Sequence, residues 1–150
     1  MNKQDYNCTF TVSATPGQVF DSICRVSSWW TENTEGNTNK AGDIFTVRFG
    51  KTYSTFCIME MIPNGKIVWL VTDSHLEFLN DKEEWNNTSL DFEITASAEG
   101  TTMSMTHLGL VPGIECFDDC KKGWNFYAGE SLRKLIMEKK GQPDTKKTDR

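Results

Sequence analysis

The sequence predicts an α+β domain: a curved antiparallel sheet closed by one long C-terminal helix, with two short helices after the first strand. Three observations predict it. From residue 43 to 108 apolar residues recur at every second position, in segments divided by turn residues, which is the period of a half-buried strand. From about Ile114 to Lys139 the spacing changes, and Phe117, Cys120, Trp124, Tyr127, Leu132, Leu135 and Ile136 form a broad apolar stripe of the kind a helix lays on a core. Between the first strand and the rest, Thr15 and Pro16 have the chemistry of an N-cap and a first helical residue. A meander of strands needs a cover for its apolar face, and the long helix is the only element large enough.

In chain order, residues 8–13 alternate and read as a strand. Residues 16–24 follow as a short helix, with Val19, Phe20 and Ile23 at helical spacing. Residues 25–31 read as a second helical turn ending in Trp29-Trp30, and residues 32–42, rich in Asn, Thr and Gly, as a loop. Strands are predicted over 43–49 and 52–62. Pro63-Asn64-Gly65-Lys66 is a hairpin turn, because Asn-Gly tolerates positive φ. Further strands are predicted over 66–72, 86–97 and 101–108, with a short one near 75–78. Gly109 to Gly113 breaks the sheet. The final helix has acidic residues at its start (Glu115, Asp118, Asp119) and basic ones at its end (Lys134, Lys139, Lys140), which suits the helix dipole. At roughly 39 Å it must lie across the sheet.

The 150 residues fit one domain, read as 1–140 with a disordered polar tail over 141–150. The net charge of −5 argues against a nucleic-acid face and against an anionic-lipid surface. The N-terminus leads straight into alternation without an apolar signal segment, and no run approaches the length of a membrane helix. The expected compartment is the cytoplasm. Five cysteines, Cys8, Cys24, Cys57, Cys116 and Cys120, are expected to be reduced. No nucleophile elbow, phosphate loop, metal-binding helix or dinucleotide fingerprint occurs, so neither cofactor nor metal is expected.

Several phrases carry a resemblance. They are Ala14-Thr15-Pro16 with Val19-Phe20; Trp29-Trp30-Thr31; Gly42-Asp43-x-Phe45; Pro63 through Trp69; Glu84-Trp85-x-x-Thr88; Thr106-His107-x-Gly109-Leu110; and Gly123-Trp124-x-x-Tyr127 with Ser131-Leu132. In this order the chain resembles the START-like, birch-pollen-allergen-like (SRPBCC) superfamily, in the branch related to the activator of heat-shock-protein-90 ATPase. The resemblance implies a helix-grip fold of seven strands wrapped around the C-terminal helix. It also implies a cavity between them for lipids, hormones, polyketides or other apolar molecules.

The candidate ligand-binding residues are Trp30, Phe45, Met59, Trp69, Trp85, Phe92, Met105, His107, Trp124 and Tyr127, because apolar pockets are lined by aromatic and adaptable side chains with a few polar groups. His107 shares a strand face with Met103 and Met105. If Glu84 faces it, the pair is a candidate acid–base couple. Glu60 is unresolved by period two, which sets it with Phe56 and Ile58, opposite Cys57, Met59 and Met61. Three readings follow, in order: a binder of a small apolar ligand, a cyclase- or hydrolase-type cavity enzyme using His107 and a carboxylate, and a co-chaperone-like interaction domain. A homodimer is compatible with the fold.

Overall fold

The structure, a computed structural model, describes residues 4–145. Strand β1 (Tyr6–Val12) leads into α1 (Pro16–Cys24) and α2 (Val26–Trp29), and then come β2 (Thr34–Gly36), β3 (Ile44–Phe49), β4 (Thr52–Ile62), β5 (Lys66–His75), β6 (Ser89–Ser97) and β7 (Gly100–Leu108). The strands form one antiparallel seven-stranded sheet in the order β1-β7-β6-β5-β4-β3-β2. The chain ends in α3 (Phe117–Phe126), a π-turn (Tyr127–Ser131) and α4 (Leu132–Glu138), one continuous helix of 22 residues.

The local rules explain these elements. Thr15 caps α1 with a capping box: the Gln18 amide donates to Thr15 Oγ1 at 3.1 Å, and the Thr15 amide donates to Gln18 Oε1 at 2.8 Å. Each arm satisfies a backbone donor that the first turn leaves free. Asn64 takes φ 62° in the β4–β5 turn. Gly100 has φ +133°, and a Cβ there would stand 2.0 Å from the Val12 carbonyl oxygen. That close approach lets the β6–β7 hairpin meet the end of β1.

The apolar face of the sheet and the C-terminal helix enclose the core. Phe45, Phe56, Trp69, Phe92, Met103 and Met105 come from the sheet, and Trp124, Ala128, Leu132 and Ile136 from the helix. Trp30 is the hub, with its ring 4.7 Å from Trp124, 5.6 Å from Phe56 and 6.4 Å from Trp69, to which it is parallel. Burying each such side chain contributes about 1.5–3 kcal/mol.

Four expectations are corrected. The loop expected over 32–42 contains the short edge strand β2. The single helix begins at Phe117 and is interrupted by the π-turn. Residues 141–144 of the expected disordered tail lie against the α2 exit: the Asp144 amide donates to the Trp30 carbonyl at 2.9 Å, and the Gln142 amide donates to Ser131 Oγ at 2.6 Å. Residues 146–150 lie outside the described part. Lastly, Cys116 and Cys120 are joined as a disulfide, with Cα atoms 5.5 Å apart. One helical turn places both on the same face at a separation a disulfide accepts. Cys8, Cys24 and Cys57 are free.

Candidate aromatic cleft

Between one end of the sheet and the start of the C-terminal helix lies a cleft of about 340 Å³. Val47, Phe49, Thr52, Tyr53 and Ser54 of β3 and β4 form one wall, and Asp119, Cys120, Gly123, Trp124 and Tyr127 of the helix form the other. Trp30 lines it from the α2 exit, and Leu76, Phe78 and Trp85 from the segment after β5. The volume is at the small end for ligand sites, and the largely apolar lining is typical of them.

Of the ten expected ligand residues, the structure brings Trp30, Trp85, Trp124 and Tyr127 together on this cleft. Phe45, Trp69, Phe92, Met105 and His107 are fully buried beside it, in the packed core. Met59 is elsewhere, 55% exposed on the opposite face of the sheet. Alternation alone puts it there, opposite the buried Phe56 and Ile58, and a bulge follows. Ile58 pairs with Trp69 and Glu60 with Val68, which leaves Met59 as the extra residue. Beyond it the inward position shifts to Met61, opposite the buried Ile67. Glu60 therefore faces outward, 3.6 Å from Lys66 Nζ, and the apparent two-sided apolarity of β4 disappears.

His107 is completely buried, and its hydrogen bonds define its proton. The Trp124 indole N–H donates to Nδ1 at 3.0 Å. Nδ1 is then the acceptor, so Nε2 carries the hydrogen and donates to Thr88 Oγ1 at 2.9 Å. The Thr88 hydroxyl in turn donates to the Trp85 carbonyl at 2.6 Å. Burial alone lowers the imidazole pKa to about 3. The ring is a neutral, fully engaged joint between β7, the helix and the Trp85 segment.

Glu84 does not meet it. Its carboxylate accepts the amides of Glu115 at 2.9 Å and Cys116 at 2.8 Å. Glu115 answers by accepting the amides of Asn80 and Asp81 at 2.7 and 3.0 Å. The two glutamates clasp the segment bearing Phe78 and Trp85 to the entry of the C-terminal helix. The expected acid–base couple is thus two separate structural devices. Burial pushes the Cys24 thiol up to about 11 and also raises Cys8, so neither of these two is an activated nucleophile.

Sequence reasoning missed Val47, Phe49, Ser54, Leu76, Phe78, Asp119 and Gly123. Gly123 alone left a signal, as a glycine inside an apolar helical stripe where propensity disfavours it.

The family model of activator of Hsp90 ATPase homolog 1-like protein matches residues 13–137. The chain belongs to this family. Its fold is similar to that of the Aha1 dimer from Colwellia psychrerythraea, with a TM-score of 0.74 and 21% identity over 94% of this chain and 100% of that one. A protein from Mesorhizobium loti gives a TM-score of 0.71 at 13% identity, covering 91% of this chain and 98% of that one. DynU16, from the dynemicin biosynthetic locus, gives 0.70 at 17%, covering 97% of this chain and 52% of that one. No curated protein matches the chain. At these identities the structures speak for the helix-grip fold alone, and the family match for an SRPBCC-type, ligand-binding or co-chaperone-like domain. Among the described residues no helix is long and apolar enough to cross a membrane.

Proposed function

We propose that this domain binds a small apolar ligand, of lipid, polyketide or aromatic type, in the cleft between β3–β4 and the C-terminal helix. The observation that carries the reading is a 340 Å³ space left open beside a tightly filled aromatic core. A domain that only needed stability would fill it, since interiors pack to crystal density. Binding ranks above catalysis because His107 has both ring nitrogens committed and Glu84 is spent on backbone amides. Native mass spectrometry of the purified protein, followed by denaturing extraction, tests the reading. A stoichiometric apolar molecule supports it. A bare chain that also shows no thermal shift across a panel of apolar ligands counts against it.

A second reading is self-association through the outer face of the sheet. Ile44 and Met59 are 59% and 55% exposed there, and Ile44 pairs with Cys57, whose side chain shares that face. Exposed apolar side chains grouped on one face mark interaction surfaces, and the Colwellia relative is a dimer. Light scattering of wild type and Ile44→Lys tests it: a dimer that dissociates in the variant supports the face, and a monomeric wild type removes it.

A further inference from the structure

The cleft has a charge character as well as an apolar one. Its aromatic rings are in mutual contact: Trp30 and Trp124 at 4.7 Å, Trp85 and Trp124 stacked at 5.9 Å, and Phe49 and Tyr127 at 5.8 Å. Each ring face carries negative quadrupole charge, and that charge attracts a cation without a formal anion. Among the described residues, the one formally charged side chain in the lining is Asp119, exposed at the rim. It forms no ion pair among the described residues.

Among the described residues no basic side chain lines the cleft beside it. Lys121, two residues on, lies over the Phe117 ring at 5.8 Å. Lys122 is exposed on the same helix. Lys82, in the segment that forms the far lip, has its ammonium bound to the carbonyls of Glu77 and Leu79. Arg48 sits over the Tyr53 ring at 5.5 Å and is paired with Glu35. The same lip segment carries Glu77, Asp81 and Glu83, and the chain as a whole is at −5. Such a field raises the local concentration of cations and repels anions.

Taking the cleft as a ligand site, we infer that its preferred ligand is a lipophilic cation: an apolar or aromatic body seated among Trp30, Trp85 and Trp124, bearing an ammonium group directed to Asp119. Fatty acids, carboxylated polyketides and other anionic amphiphiles are disfavoured by the same charge.

A matched pair of probes tests this. Benzyltrimethylammonium and neopentylbenzene share one shape and differ only in nitrogen against carbon, hence in charge. Both are titrated against the full chain by tryptophan fluorescence, with wild type and Asp119→Asn. The inference expects the cation to bind about tenfold tighter than its neutral isostere. In Asp119→Asn that preference, read as the ratio of the two affinities within the same variant, falls several-fold. Because Asp119 is exposed, the variant is expected to fold, which its circular dichroism checks. Equal affinities, a preference for the neutral probe, or a preference untouched by Asp119→Asn overturns the inference and leaves apolar binding standing. Failure of both probes, together with failure of the neutral fluorophore N-phenyl-1-naphthylamine, overturns this inference and the ligand-site reading together.

Discussion

The indole N–H of Trp124 on α3 donates to Nδ1 of His107 on β7 over 3.0 Å, and this single bond fixes the tautomer of a completely buried imidazole. A second proton on the ring would have to displace that donor and charge a group that burial holds neutral.

The consequence is a defined acid sensitivity. His107 has its pKa lowered to about 3 in the folded state against 6.5 when unfolded. Between those values the unfolded chain binds one proton more, so stability rises with pH across the window and falls as pH drops below about 6.5. The slope from this group is about 1.4 kcal/mol per pH unit. Urea unfolding from pH 7 to pH 5 measures it. His107→Gln keeps an acceptor and a donor without a titrating nitrogen, and its stability should fall less steeply over that range, by about one bound proton. A variant with the wild-type slope would show that His107 is protonated, or not buried, in the native state.

Glu84 and Glu115 act on the same joint from outside. Each carboxylate accepts two backbone amides of the other's segment, so the lip of the cleft and the helix entry are held as one unit. Glu84→Ala leaves the amides of residues 115 and 116 without this partner. The expected loss is about 1–2 kcal/mol, the size of a lost helix cap. Hydrogen exchange should speed up at 115–116 and at 80–81 while the sheet amides keep their protection. The backbone hydrogen bonds also hold the Glu115 carboxyl below the usual range. Its contribution is therefore present above the ordinary carboxylate pKa and lost as pH falls through the lowered one.

How far these features were legible depends on their range. Thr15, Pro16 and Gln18 act within one turn, and the bounds of α1 and β4 follow from the sequence directly. The alternation that defines β4 also sets Glu60 inward with Phe56 and Ile58, because period two presumes an unbroken register. The bulge at Met59 depends on the partner strand β5, and no local pattern in 52–62 announces it. The cleft is harder still. Phe49, Ser54, Phe78 and Asp119 come from strand ends, a loop and a helix, and only the closing of the helix over the sheet brings them together. Trp30, Trp85, Trp124 and Tyr127 were legible as large aromatics needing a core or a pocket, but composition does not separate the two. Trp69 and Phe92, equally aromatic, went to the core.

The bulge has its own check. Met59 is exposed and Glu60 makes only a surface pair with Lys66 at 3.6 Å. Met59→Gln and Glu60→Gln should each change stability by less than about 0.5 kcal/mol and leave ligand titrations unchanged. Met61→Gln, one residue on but half-buried against the core, should cost more than either. A large loss at Glu60→Gln and none at Met61→Gln would restore the unbulged register, in which Glu60 faces inward and Met61 outward.

Gly123 gives the most direct test of the cleft, because its two substitutions separate folding from binding. The residue lies inside α3 and lines the cleft. A Cβ added there meets nothing within 4 Å, and its φ is not in the positive range. Gly123→Ala therefore removes a flexible residue from a helix without a clash. It should raise stability by about 1 kcal/mol in urea unfolding, the helix-propensity difference between the two residues. Gly123→Phe places a large side chain in the same open space, beside Trp124 and Tyr127. It should fold as stably as wild type and lose at least about tenfold in affinity for any ligand held there. A cleft that serves only as packing slack predicts the opposite: Gly123→Phe gains stability by filling the void, and no ligand titration changes. The pair of variants thus decides whether the empty space beside the aromatic core is a site or a defect.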